Sequence, residues 1–384
     1  MTAQLTAPPR TTPPLITPTG PQRLRARPRV LVVSGSVGAG HDGAANELAA
    51  RLTAAGASVE VRDFLAAVPW PVARLLREGY TNSVTHVPAA FEFLFRRLEH
   101  RGVLWRIEQE VCAAAQAPMT RWVSQLRPDV VVSTYPLASQ SLGALRAAGR
   151  LAVPVITYLT DPAVHASWVH PGVDRHLTVT EATATQGRLE YGRPFTVAGP
   201  LVPARFARPL GRDGRTALHG QLGLGGDRPV ALLAAGSLGL GDLVGTVRDV
   251  TATGFSALVL CGRNDGLRRR VAAQPGAVAL GWRPDVHELM QVADVLIQNA
   301  GGLSCTEALV AGLPTVTYRA IPGHGRANAR VLHDAGLAPW AHTPAELTAL
   351  LHSRLGQDRT PPTLGDPATL VLAALGRPAV GVAA

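Results

Sequence analysis

The sequence predicts an α/β protein of two Rossmann-like, doubly wound lobes facing a central cleft. Three observations carry the prediction. Short branched apolar runs alternate with helix-length segments, the pattern of parallel sheets wrapped by helices. One such run early in the chain and one past its middle end in glycine-rich turns. At 384 residues the chain is long enough for two domains that each bury a core.

A buried parallel strand is expected at Val30 to Val33, where a β-branched run stops at Gly35. An amphipathic helix through Ala44 to Ala54 and a strand at Val59 to Val61 complete a βαβ start. From Phe64 to Met119 the alternation lapses into an irregular insertion carrying Trp70, Tyr80, Phe91, Phe93, Phe95 and Trp105. Arg96, Arg97, Arg101 and Arg106 lie beside these rings, a mixture that suits an interfacial helix and equally a helical hairpin packed on the lobe. Alternation resumes with a strand at Val130 to Ser133, a helix from Ala138 to Ala148, and strands at Val153 to Tyr158, His176 to Val179 and Phe195 to Val197. Gly199-Pro200 and Pro203 then mark a linker. The second lobe starts afresh with strands at Val230 to Ala234, Ala257 to Cys261, Val278 to Leu280, Val295 to Gln298 and Thr315 to Tyr318. After about Thr343 the Ala-, Leu- and Pro-rich remainder predicts one or two helices packing back on the lobes. The resulting division is a disordered Pro/Thr-rich tail over 1–27, an N-terminal acceptor-side lobe over 28–205 and a C-terminal nucleotide-binding lobe over 206–384.

Hydrophobic residues at 46% and charged residues at 17% exclude a disordered or fibrous chain. Cys112, Cys261 and Cys305 have neither disulfide-framework nor zinc spacing, which fits a reducing cytoplasm. No apolar run reaches the about 18 residues of a spanning helix, and the tail lacks the apolar core of a signal peptide. Membrane contact is therefore expected to be peripheral, on the inner face. An excess of 37 basic over 27 acidic residues favours anionic partners, with an anionic membrane surface the candidate and nucleic acid not expected.

Gly35-Ser36-Val37-Gly38-Ala39-Gly40-His41 joins the first strand to a helix. Backbone N–H groups around Gly38 and Gly40, with the helix dipole, there face a site for a phosphate or the reacting end of an acceptor. The same glycines suit tight packing. With Asp63 about twenty residues on, they also fit a dinucleotide fingerprint, which keeps a nicotinamide-dependent oxidoreductase open. Ala235-Gly236-Ser237-Leu238-Gly239-Leu240-Gly241 repeats the device in the second lobe. The most informative run is Asn299 to Leu309, followed by Gly312-Leu313-Pro314, Ile321-Pro322-Gly323-His324 and Asn328-Ala329. Gly301 and Gly302 let the backbone approach a diphosphate, and Ser304 and Thr306 add hydroxyl donors. Glu307, one turn into the helix, is placed to accept both hydroxyls of a ribose, although an acid in a first helical turn is favourable on its own.

These motifs occur with Thr160-Asp161-Pro162-Ala163-Val164-His165, the stretch Trp168 to Asp174, Cys261-Gly262-Arg263-Asn264 and Gly281-Trp282. Together, from about Val30 to about Ala338, they resemble the glycosyltransferase family that contains monogalactosyl-diacylglycerol synthases, the processive diacylglycerol glucosyltransferases and the enzyme that adds N-acetylglucosamine to lipid I. The resemblance implies a GT-B fold and inverting transfer of a hexosyl or N-acetylhexosaminyl group from a UDP-sugar co-substrate to a lipid, diacylglycerol-like or lipid-linked acceptor. By it Glu307 would hold the uridine ribose, Ser237 and the Gly301 to Thr306 segment the diphosphate, and His324 with Asn328, after Gly323, the donor sugar. Asn264 and Trp282 complete the donor-binding set. The chain departs from the family where Gln-Glu usually follows the Pro-Gly: His324-Gly325 stands there, with Arg326 a substitute ligand. Asn299-Ala300 replaces the usual Lys before the Gly pair, which leaves the sugar's identity open.

Single-step inverting transfer needs a base for the acceptor hydroxyl and a positive environment for the departing diphosphate. Asp161, at the cleft end of a buried strand, is the first candidate base, with burial raising its pKa. His165 would orient Asp161 or contact acceptor or phosphate. His41 competes as base because imidazole titrates near neutrality. No Asp-x-Asp pair occurs, so backbone N–H groups and helix dipoles are expected to stabilise the diphosphate, with no metal and no cofactor. A UDP-sugar epimerase, a soluble natural-product glycosyltransferase and a catalytically silent sugar-nucleotide-binding protein stay open.

Overall fold

The computed structural model describes residues 27–86, 102–224, 227–357, 359 and 364–376. The expected tail, apart from its last residue, and Phe91, Phe93, Phe95, Arg96, Arg97 and Arg101 lie outside the described residues. Strands β1 (Arg29–Ser34), β2 (Ser58–Asp63), β3 (Val130–Ser133), β4 (Val155–Tyr158), β5 (Arg175–Thr178) and β6 (Phe195–Val197) form a parallel sheet in the order β2-β1-β3-β4-β5-β6. Strands β7 (Val230–Ala234), β8 (Ser256–Leu260), β9 (Ala277–Leu280), β10 (Val295–Gln298), β11 (Thr315–Tyr318) and β12 (Trp340–Ala341) form a second, ordered β12-β11-β10-β7-β8-β9. Each order reverses once, between β1 and β3 and between β7 and β10, and ligands of such sheets bind outside these switch points.

The strands are legible as apolar runs because both sheet faces are covered; β3, β4, β7, β10 and β11 are buried throughout. In the first lobe Leu48 and Leu52 of the helix Ala39–Ala54 pack on Val30, Val32 and Val132, while Leu31, Val33, Phe64 and Met119 fill the other face. In the second, Val247, Phe255 and Ile297 cover one face and Leu232, Met290 and Leu296 the other.

Two expectations are corrected here. The stretch read as irregular contains two long helices, Trp70–His86 and Val103–Leu126. The buried residues of the second, Cys112, Ala115 and Met119, recur at helical spacing, which a search for strand alternation passes over. The helix Pro367–Ala373, assigned to the second lobe by position, crosses back, and its Ala368, Val371 and Leu372 join Leu48 in the first lobe's core. The crossing is a backbone-on-backbone contact: a Cβ on Gly199 would fall 2.3 Å from the Gly365 carbonyl oxygen. Arg51 ties it down through Asp366 (3.2 Å) and the Val202 carbonyl (2.6 Å). Among the described residues no helix is long and apolar enough to cross a membrane.

His176 on β5 is 2% exposed and stacks on Phe195 at 4.9 Å, and burial, aided by Arg193, lowers its pKa to about 4. The unfolded chain binds a proton near pH 6.5 that the folded chain refuses until about pH 4. This contribution is complete above pH 6.5 and is lost as pH falls, by about 2 kcal/mol at pH 5. Urea unfolding at pH 7 and pH 5 is expected to show that loss in the wild type and a clearly smaller one in His176→Gln.

Candidate active site in the interlobe cleft

The turn after β1 is shaped from both sides. A Cβ on Gly35 would lie 2.4 Å from the Tyr135 ring, so only glycine fits. The Asp63 carboxylate accepts from Ser36 N at 3.1 Å and Leu65 N at 2.9 Å. Oδ1 thereby holds the turn in place.

His41 stands in the first turn of the helix Ala39–Ala54, with Nδ1 2.8 Å from the Thr134 carbonyl oxygen and 3.0 Å from Thr160 Oγ1. A carbonyl only accepts, so Nδ1 carries the hydrogen and Nε2 keeps its lone pair. The Tyr135 and Trp168 rings wall the imidazole, with centroids at 5.2 and 5.9 Å. Burial lowers the His41 pKa against the opposing pull of Asp161 and the Thr134 carbonyl, leaving a neutral imidazole at neutral pH.

Asp161 follows β4. Trp168 Nε1 donates to its Oδ2 at 3.0 Å, His165 Nε2 lies 3.8 Å from the same oxygen, and Asn328 Nδ2 donates to Oδ1 at 3.4 Å. Burial pushes the carboxyl up, but the hydrogen bond from His165, with the neighbouring imidazoles of His324 and His41, outweighs it and holds the pKa below the usual carboxylate value. The expected raised pKa is corrected accordingly: the group is buried, yet its partners keep it ionised. Trp168, 0% exposed, is the partner that the sequence did not disclose as part of the site. Gln140 aims it, donating from Nε2 to the carbonyls of Ala166, Ser167 and Val169. Glu108, at 8% exposure, is a second group missed; burial raises its carboxyl against the pull of Ser167 and His165.

A cavity of about 240 Å³ joins this cluster's turn to the second lobe. Gly38 and Gly40 form one wall; Gly236 and Ser237 after β7, and Gly301, Gly302, Ser304 and Glu307 after β10, form the other. Ala300 takes a left-handed conformation, φ 73°, held by the Gln298 side chain, which accepts from its N–H. That bend aims the unpaired first amides of the helix Gly302–Val310 at the cavity. Glu307, one turn in, has its pKa raised to about 8 by burial, against the pull of Arg205. Trp282 presents an aromatic wall, 51% exposed and backed by the Arg263 guanidinium 4.6 Å from the ring centroid. His324 opens the helix His324–Asp334, lines the cavity, and has its pKa lowered by burial against the pull of Asp161.

Other expected donor ligands are placed elsewhere. Asn264 Oδ1 accepts from Leu267 N at 2.9 Å and caps the helix Asp265–Ala272. Thr306 Oγ1 donates to the Gly302 carbonyl at 2.8 Å and faces a separate cavity behind the helix. Asn328 is 1% exposed with its amide engaged at both ends, Oδ1 accepting from Ala163 N at 2.9 Å and Nδ2 donating to the Ala300 carbonyl at 3.1 Å as well as to Asp161. Gly323, φ 68°, is the bend behind His324 rather than a wall, and Arg326 is exposed outside the cavity. Gly325 is imposed by Ile321, whose Cγ1 would lie 2.4 Å from a Cβ there.

Two facing doubly wound lobes with one cavity between their glycine turns define the GT-B architecture, and solved structures agree. The spinosyn rhamnosyltransferase SpnG, complexed with thymidine diphosphate, superposes with a TM-score of 0.59 at 16% identity, covering 90% of this chain and 99% of its own. MurG of Acinetobacter baumannii gives 0.52 at 18% identity, over 92% and 95%. In sequence, the family model of monogalactosyldiacylglycerol (MGDG) synthase matches residues 41–192, a span that holds His41, Asp161, His165 and Trp168. The processive diacylglycerol beta-glucosyltransferase of Bacillus licheniformis is 27% identical over 247 residues, 62% of this chain and 63% of that protein. Its Bacillus subtilis counterpart is 26% identical over 250 residues, 62% and 63%. The match thus spans somewhat under two thirds of these relatives' length, at 63%. The chain is related to the group of GT-B glycosyltransferases that its motifs resemble.

If Glu307 accepts a ribose as its motif implies, its raised pKa makes nucleotide affinity pH-dependent. Below about pH 8 burial holds the acid protonated, whereas two ribose hydroxyls favour the carboxylate. Affinity for UDP is expected to rise several-fold between pH 7 and pH 9 in titration calorimetry, and Glu307→Gln to bind more weakly with a flat profile.

Proposed function

We propose that this protein is an inverting glycosyltransferase that moves a hexosyl or N-acetylhexosaminyl group from a UDP-sugar to a hydroxyl of a lipid or lipid-linked acceptor, on the cytoplasmic face of the membrane. The observation that carries this reading is the shared cavity, in which the amide-rich start of the helix Gly302–Val310 and Glu307 face the turn that ends in His41. The names of the Bacillus relatives, diacylglycerol glucosyltransferases, support the acceptor class. Neighbours of the same fold recorded with UDP and with thymidine diphosphate support a nucleotide-sugar donor.

In this reading Trp282 and Glu307 take the nucleoside, and Ser237 with the amides of Gly301 to Ser304 takes the diphosphate. Helix dipoles there favour the charge of the leaving group without a metal or a cofactor. His324 faces the sugar. His41 Nε2 takes the acceptor hydroxyl's proton as its oxygen bonds to the anomeric carbon, and the bond from that carbon to the diphosphate oxygen breaks on the opposite face. Asp161 stays ionised and steadies the imidazolium. His41 displaces Asp161 as the base because its tautomer leaves a lone pair and its pKa leaves it neutral, while Asp161 is held weakly basic by its partners.

Trp70, Leu75, Val103 and Ile107 are 70, 70, 72 and 55% exposed on the helices Trp70–His86 and Val103–Leu126, among Arg74, Arg77 and Arg106. Apolar side chains flanked by arginine suit the headgroup boundary of an anionic membrane, which supports a peripheral location. UDP release from UDP-glucose, UDP-galactose and UDP-N-acetylglucosamine, measured with EDTA present, is expected to require vesicles containing diacylglycerol. His41→Ala is expected to lower kcat by about 10²- to 10⁴-fold with UDP affinity near the wild-type value. Release with soluble hydroxylated acceptors alone would move the answer to a natural-product transferase, and an isomerised donor without release to an epimerase.

A further inference from the structure

We propose that Asn328 is an interlobe latch, a positioning residue through which closure of the second lobe fixes Asp161 for the transfer step; this rests on reading the cleft as a transferase site. Asn328 lies one turn after His324 on a second-lobe helix, yet two of its three hydrogen bonds cross to the first lobe. Oδ1 takes the backbone N–H of Ala163 at 2.9 Å, and Nδ2 divides between Asp161 Oδ1 at 3.4 Å and the Ala300 carbonyl at 3.1 Å. Each atom of that amide is already hydrogen-bonded and the side chain is 1% exposed, so a sugar hydroxyl does not reach it.

Its partners explain what the crossing does. Ala300 is the left-handed residue that aims the diphosphate amides, and Asp161 is the carboxylate whose charge acts on His41. One side chain therefore touches the segment that would sense the donor and the charge that would serve the acceptor. The backbones approach at the same place: a Cβ on Gly302 would fall 2.2 Å from the Thr160 carbonyl oxygen. Withdrawal of the second lobe would strip Asp161 of a donor, leave the Ala163 N–H without its acceptor, and part Thr160 from Gly302. Each loss costs free energy unless water replaces it, so the closed arrangement and a correctly held Asp161 come together.

The test uses spin labels on Leu189→Cys and Arg270→Cys, exposed positions on opposite lobes, in a protein whose Cys112, Cys261 and Cys305 are buried. Interlobe distances are read by double electron–electron resonance with UDP bound. The wild type is expected to give one short, narrow distance. Asn328→Asp keeps the side chain's shape but sets an oxygen against the Ala300 carbonyl and Asp161. It is expected to lengthen and broaden the distance and to lower kcat at least about 100-fold, with UDP affinity lowered far less. Adding Asp161→Asn to it restores the donor–acceptor pair across the lobes with roles exchanged, while the Ala300 carbonyl stays opposed, and is expected to shorten the distance relative to Asn328→Asp alone without recovering activity. Asn328→Ala should behave like Asn328→Asp. Asn328 variants that keep the short distance, whether they bind UDP-sugar weakly or work normally, would overturn the latch. Because the distance needs UDP and no acceptor, a protein that latches as described but transfers from no donor would sink the transferase reading instead.

Discussion

The approach of the Thr160 carbonyl to the backbone of Gly302 is the constraint on which the rest of the cleft depends. With only 2.2 Å to a would-be Cβ, the residue that opens the helix Gly302–Val310 has no room for a side chain. That contact sets the helix start against the loop bearing Asp161, and it lays Leu303 over Gly40 and Gly43, within 3.7 and 3.5 Å of where their Cβ atoms would be. The N-terminal ends of the helices at Ala39, Gly302 and His324 consequently gather around one cavity. Converging dipoles of that sign favour a diphosphate more than any one of them alone.

The titratable groups are arranged to match. Burial keeps His41 and His324 neutral and Glu307 protonated below about pH 8, so little negative charge opposes a phosphate. Asp161 is the exception, held ionised by His165 and the neighbouring imidazoles, with Trp168 and Asn328 donating to it. Its charge is poorly suited to taking a proton and, in the proposed transfer, well suited to stabilising one taken by His41.

Much of this was legible in the sequence, for physical reasons. Strands buried on both faces declare themselves as apolar runs, and glycine turns mark the switch points, so the two lobes and the residues Gly38, Ser237, Gly301, Ser304, Glu307 and His324 could be placed together. Direction was not legible. Thr306 is next to Glu307 in sequence, but a helix turns about 100° per residue, and Thr306 faces away. Asn264 and Asn328 sit in motifs whose positions are right, yet both side chains are spent on backbone groups, one as a helix cap and one across the lobes. Trp168 acts through an indole N–H on a carboxylate seven residues earlier, a spacing with no periodic signature. The return of Pro367–Ala373 to the first lobe depends on the Gly199 and Gly365 crossing, which no local pattern announces.

The claim at the centre is that the cleft holds His41 as a neutral imidazole with its proton on Nδ1 and its lone pair on Nε2. Nitrogen NMR of histidine-labelled protein, with His41 assigned by difference against His41→Gln, observes this directly. The expected spectrum shows the Nδ1–H tautomer at pH 7, titrating below the ordinary value of 6.5. An imidazolium at pH 7, or a proton on Nε2, would contradict a base at His41 and return that role to Asp161.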